Sequence, residues 1–118
     1  MSDIKSLIQD LVIANRILAK EEVVDAYGHV SIRHPDNPDH FLIARSVAPD
    51  LVTAEDIVEL GLDGMPVRDE KRTLYLERFI HGAIFEARPD VMAVVHAHAE
   101  DTLAFGVADG VKLRPVIH

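Results

Sequence analysis

The sequence predicts an α/β domain, on three observations. Two stretches place apolar residues at helical spacing, and several short β-branched runs sit between turn signals. The chain has 118 residues and is 48% hydrophobic, which suffices for one core, so residues 1–118 read as a single domain.

Taken in order, Ile4, Leu7, Ile8, Leu11, Val12, Asn15 and Leu18 recur at helical spacing, with Ser2 or Asp3 able to cap the start. They predict an amphipathic helix of about twenty residues whose solvent-facing end is Lys20-Glu21-Glu22. Gly28-His29-Val30-Ser31-Ile32-Arg33 leads through a glycine into a short strand, and His34-Pro35-Asp36-Asn37-Pro38-Asp39 is a turn by composition. His40-Phe41-Leu42-Ile43-Ala44 then returns as the second strand of a hairpin, which leaves His34 and His40 at the surface beside the turn. Thr53-Ala54-Glu55-Asp56 reads as a cap opening one helical turn, Ile57–Leu60 as a strand, and Gly61-Leu62-Asp63-Gly64 as a tight turn. From about Leu74 to Ala87 the positions Tyr75, Phe79, Ile80, Ala83 and Ile84 are helical, and Arg88-Pro89 ends the helix because a residue before proline avoids the α region. Val91–His98 reads as a buried strand, Glu100 to about Phe105 as a helix, Asp109-Gly110 as a turn and Arg114–His118 as a strand-like segment. Closing on such a segment reads as the front part of a longer protein.

Composition narrows the partners. A formal net charge of −8 argues against nucleic acid, which needs clustered Lys and Arg, and against an anionic membrane surface. Without cysteine there is neither a disulfide framework nor a thiolate metal site, so any metal must use imidazole and carboxylate. No window approaches a membrane span and no signal-peptide pattern opens the chain, so a cytoplasmic protein is expected.

Three places carry candidate chemistry. His96 and His98 stand i, i+2 on a strand, share a face and can converge on one divalent ion; the spacing alone leaves that reading and a packing role both open. Glu77 and His81 share a helix face, and the short turn at Arg88-Pro89-Asp90 folds this helix back along the histidine strand. That geometry brings the Glu77 carboxylate to His96 and His98 as ligand, general base or orienter. In Gly28-His29-Val30-Ser31 a glycine permits close backbone approach and Ser31 offers a hydroxyl, while Arg45-Ser46 can hold a carboxylate or phosphate. No nucleotide-binding glycine motif, phosphate loop, serine-hydrolase elbow or His-Glu-x-x-His is found.

Glu77-x-x-x-His81, Arg88-Pro89-Asp90 and Ala93-Val94-Val95-His96-x-His98 together resemble the class II aldolase/adducin family, over almost the whole chain to about Phe105. Gly28-His29-Val30-Ser31 stands where that family has a Gly-Asn-Val-Ser-like loop. The resemblance implies a three-layer α/β/α sandwich around a mostly antiparallel sheet, and a homo-oligomer, usually a tetramer, with sites at subunit interfaces. It implies a divalent metal, zinc first with Mn, Fe or Co open, held by His96, His98 and a third histidine beyond residue 118. Glu77 matches the family's acid/base glutamate. Tyr75-Leu76-Glu77 replaces the Ser-Ser-Glu of phosphosugar aldolases, and Ala44-Arg45-Ser46 replaces a Thr/Ser-Gly step. Phosphate donors are thereby lost and Arg45 and His29 gained. The resemblance then implies a small carboxylated hydroxy or dihydroxyaromatic acid as substrate, with Gly28, His29, Ser31, Arg45 and Ser46 as its contacts and carbon–carbon cleavage, by decarboxylation or aldol cleavage, as the reaction. A fuculose-phosphate-type aldolase and a non-catalytic, adducin-like interaction domain are the alternatives.

Overall fold

The structure, a computed structural model, describes residues 4–24 and 27–97. Helix α1 (Ile4–Lys20) is followed by strands β1 (His29–Arg33), β2 (His40–Ala44) and β3 (Ile57–Gly61), helix α2 (Arg78–Ala87) and strand β4 (Ala93–His96). Short 3₁₀ turns occupy Pro49–Leu51 and Ala54–Asp56. The four strands form one antiparallel sheet in the order β3-β2-β1-β4, so β1 is paired on both sides.

Alternation along the strands sorts the core into two layers. Val30 and Leu42 meet Leu11 of α1 on one face, joined by Ile4, Ile8, Leu18, Ile32 and Ile57. Phe41, Ile43, Val58 and Leu60 meet Phe85 of α2 on the other, joined by Leu62, Tyr75, Val91 and Val94. The architecture is thus α/β/α around an antiparallel sheet. Among the described residues no helix is long and apolar enough to cross a membrane.

Local chemistry accounts for the junctions. Asp56 accepts from the backbone N–H of Thr53 at 2.9 Å and from its hydroxyl at 3.0 Å, closing the predicted cap. The backbone N–H groups of Asp36 and Asn37 both donate to Nδ1 of His34, at 3.0 and 3.2 Å, which ties down the hairpin turn. α2 ends at Ala87, and Arg88 is pulled out of helical geometry (φ −128°, ψ 86°) ahead of Pro89.

Four expectations need correction. The second helix begins at Arg78, with Glu77 at its N-cap, because the Tyr75 hydroxyl is bonded to the Val47 carbonyl and holds the preceding residues in a turn. Its buried stripe is His81, Gly82 and Phe85, while Phe79 and Ile80 are exposed. Gly82 explains the choice of face: a Cβ there would lie 2.2 Å from the Leu62 carbonyl oxygen, so only this face lets the helix come so close. β4 is half-exposed rather than buried, since it lies at the edge of the described sheet with Ala93 and Val95 open. His34 and His40 are half-buried around Glu59, with His40 Nδ1 2.6 Å from its carboxylate. The expected Ser2 or Asp3 cap, His98, the helix from Glu100, the Asp109-Gly110 turn and the Arg114–His118 strand lie outside the described residues.

Arg33 ties these layers together. Its buried guanidinium donates to the carbonyls of Val91 (3.0 Å), Pro38 (2.5 Å), Phe85 (2.8 Å) and Arg88 (3.1 Å). One cation thus joins the hairpin turn, the C-terminal end of α2, where carbonyls lack helical partners, and the approach to β4. Replacing Arg33 with Met should leave these acceptors unsatisfied and lower stability by about 3 kcal/mol. Urea unfolding checks this: the midpoint should fall with the slope unchanged, and an unmoved midpoint would contradict the clamp.

Candidate active site

The site is built where β1, β4 and the start of α2 converge. The β1–β4 register sets His29 directly opposite His96, and their rings stack with centroids 4.6 Å apart and planes 11° apart. The two-residue period of β1 puts Ser31 on the same face as His29. His81, in the first turn of α2, sits over both: its Nε2 is 2.7 Å from Nδ1 of His29 and its Nδ1 is 2.5 Å from Oγ of Ser31. All three residues are buried, at 1%, 0% and 0% exposure for His29, Ser31 and His81. Tyr75 closes the side, its ring 4.5 Å from that of His29.

Burial, and then the neighbouring His29 and His96, push the His81 imidazole down to about 3. It is therefore neutral near pH 7, with one ring nitrogen donating and the other accepting. This suits a chain of hydrogen bonds through Ser31, His81 and His29.

His29, Glu77 and His96 each bring a ligand atom to within 4.8 Å of the others. Two imidazole nitrogens and a carboxylate oxygen are a donor set that suits zinc and equally other first-row divalent ions, so these residues fit a metal. Glu77 also lines a pocket of about 390 Å³ together with Tyr27, Ser46, Thr73, Tyr75 and Leu76. One carboxylate thus belongs both to the donor cluster and to the space where a small molecule could lie.

The residues singled out in the sequence are distributed unevenly. His29, Glu77 and His96 come together, and Ser46 stands on the pocket wall, its backbone N–H donating to the Thr73 carbonyl at 2.9 Å. Ser31 lies beneath, turned to His81. A Cβ on Gly28 would lie 2.4 Å from that of Val24 and 3.1 Å from the His96 carbonyl oxygen, so Gly28 allows close approach of β4's end. Arg45 directs its Nε to Asp56 at 2.7 Å. Burial opposes ionisation of Asp56, but Thr53 and Arg45 outweigh it and hold the carboxyl below its ordinary value. His98 is outside the described residues. The sequence marks His81 as sharing a face with Glu77 and Tyr75 as standing in a Tyr75-Leu76-Glu77 segment, but assigns neither a role in the site. The His81 contacts with His29 and Ser31, and the ring of Tyr75 against His29, are tertiary and have no local signal.

The profile of the Class II Aldolase and Adducin N-terminal domain matches residues 9–118. The chain is 42% identical over 104 residues to the decarboxylase tropJ of Talaromyces stipitatus, covering 86% of this chain and 39% of that protein. It is 32% identical over 117 residues to the 3,4-dihydroxyphthalate decarboxylase of Arthrobacter keyseri, covering 91% of this chain and 46% of that one. Among solved structures, an aldolase II superfamily protein from Pseudomonas syringae superposes with a TM-score of 0.75 at 35% identity, covering 86% of this chain and 42% of that one. The chain therefore spans less than half the length of these relatives.

His81 gives a pH signature. The native state keeps it neutral down to about pH 3, whereas an unfolded histidine takes a proton below about 6.5. The unfolded state then binds more protons between these values, so stability should fall as pH drops, by up to about 1.4 kcal/mol per unit for this group. His81→Gln, which cannot titrate, should be less stable at pH 7 by about 1–2 kcal/mol, and the gap should close near pH ~5 and reverse toward pH ~4. Denaturant unfolding of metal-free protein across this range is the check; parallel curves would show that His81 does not carry the effect.

Proposed function

The chain belongs to the class II aldolase and adducin family, and from that premise we propose that it carries the metal-binding and proton-transfer residues of a divalent-metal-dependent carbon–carbon lyase. The substrate in this reading is a small carboxylated hydroxy or dihydroxyaromatic acid, and the reaction is decarboxylation. The observation that carries it is the position of Glu77, shared by the His29/His96 cluster and the pocket.

His96 and His98 would hold the ion beside Glu77, and when bound it supplies Lewis acidity toward a substrate oxygen. Glu77 takes a proton from a substrate hydroxyl and returns it to the carbon from which carbon dioxide leaves. The bond to the carboxylate breaks, its electron pair stays on that carbon, and the proton from Glu77 ends up there. Ser46, Thr73 and Tyr27 offer hydroxyls to the substrate's polar groups, and the ring of Tyr75 keeps water from one side. Arg45 stands outside the pocket lining with its Nε on Asp56, so these hydroxyls rather than its guanidinium meet the substrate.

Two observations favour a carboxylated acid over a phosphorylated sugar. Among the described residues no basic side chain lines the pocket, which leaves a phosphate dianion without a partner on that wall. The relatives from Talaromyces stipitatus and Arthrobacter keyseri are both named as decarboxylases. The active species is a cytoplasmic homo-oligomer with sites at subunit interfaces. The exposure of Leu76, Phe79 and Ile80 next to the site supports this, because apolar side chains gathered there gain from being covered.

Glu77→Gln should hold metal more weakly but still take it up through the imidazoles when it is supplied in excess, and under that saturation turnover of a dihydroxybenzoate-type acid should fall by about 10²–10⁴-fold. Carbon dioxide release and metal content are measured on the same samples. Unchanged turnover in the variant would refute the role of Glu77. A metal-loaded parent with no turnover on any carboxylated acid would refute the lyase reading and favour an interaction domain.

A further inference from the structure

We propose that His29 is a metal ligand of this chain, joining His96 and Glu77 across the β1–β4 pair, and that His81 and Ser31 hold its imidazole in the tautomer that presents the Nε2 lone pair to a cation. The inference rests on the metal-dependent reading above and deepens it, since the pattern of the sequence alone makes His29 a substrate contact.

The geometry favours the metal over the substrate. His29 is 1% exposed and is absent from the described residues that line the pocket, so a small molecule lying there meets Glu77 and Ser46 first. Its ring is instead stacked on that of His96, its cross-strand partner, with 11° between the planes. Directly paired residues on neighbouring strands are as close as i, i+2 neighbours on one strand, and a turn of the His96 ring out of the stack would bring both imidazoles to one point as a His-x-His step does. Their donor atoms and that of Glu77 lie within 4.8 Å of one another. Zinc bonds of about 2.0–2.1 Å separate tetrahedral donors by about 3.4 Å, so the cluster needs to tighten by at most about 1.4 Å.

The hydrogen-bond chain supplies the rest. A metal on Nε2 requires the proton of His29 to be on Nδ1, and Nδ1 is the atom that faces His81 Nε2 at 2.7 Å. That N–H donates to His81, whose own Nδ1–H then donates to the Ser31 oxygen at 2.5 Å. An imidazole ligand whose second nitrogen donates to a fixed acceptor is oriented and made more basic, and loss of such a partner weakens metal affinity by about 10–100-fold. His81 is thus a positioning residue, acting through His29.

Cobalt(II) titration of the purified protein tests this by affinity and by the visible spectrum, with no need for turnover. His29→Asn should bind cobalt(II) at least about tenfold more weakly and with an altered visible band, and His81→Phe should lose about 10–100-fold with His29 intact. Nitrogen-15 spectra of the unmutated protein with zinc provide the second measurement, should a variant fail to fold: the His29 ring should show a metal-bound Nε2 and a protonated Nδ1. If His29→Asn keeps parental affinity and spectrum while His96→Ala loses both, His29 is not a ligand and the metal-dependent reading survives. A His29 ring unchanged by zinc while that of His96 shifts would equally remove His29 from the ligand set. A parent that binds neither metal overturns both.

Discussion

The register between β1 and β4 is the constraint on which the rest of the site depends. It sets His29 opposite His96 and turns both toward α2 rather than α1. A slip of one residue would send every side chain of β4 to the opposite face, leaving Val95 where His96 belongs. The register is secured at both ends. The N–H of Arg33 donates to the Met92 carbonyl at 2.8 Å and its guanidinium reaches Val91, while Gly28 lets the His96 carbonyl approach closely. The same arginine fixes the far end of α2, so the helix that brings Glu77 and His81 is tied to the strand that carries His96.

Burying an imidazole is costly unless its ring nitrogens find partners, and His81 meets this by being buried in neutral form with a partner on each nitrogen. His81 bridges Ser31 and His29, and burial keeps it uncharged far below the pH at which a solvated histidine ionises. The neutral state is also the one that can accept a hydrogen bond from the His29 ring. Stability and chemistry therefore ask the same thing of this residue. Glu77 stands apart because it ends the helix rather than lying within it: the N-cap position exposes its carboxylate to the pocket while its backbone carbonyl starts the helix.

Much of the architecture is legible in local patterns. The α1 stripe, the hairpin around Pro35 and Pro38, the Thr53–Asp56 cap, the Gly61–Gly64 turn and the stop at Arg88-Pro89 each rest on neighbouring residues, and each recurs in the structure. Proximity of Glu77 to His96 is legible as well, because a short turn joins their elements. What local pattern does not reveal is non-local. Pairing of His29 with His96 depends on a register between strands far apart in the chain, with two other strands and a helix between them. The buried face of α2 escapes the apolar pattern because Phe79 and Ile80 are the more apolar residues, whereas a steric demand at Gly82 decides which side meets the sheet. Tyr75 fits the helical spacing, yet its bond to Val47 is a tertiary contact with no local signature.

Anomalous diffraction from crystals soaked in zinc would locate the ion without reference to any substrate. One strong peak is expected between the end of β4 and the start of α2, about 2.0–2.2 Å from a nitrogen of His96 and an oxygen of Glu77. A fully soaked crystal with no peak there, or with zinc only at the half-buried cluster of His34, His40 and Glu59, would overturn the proposed metal site.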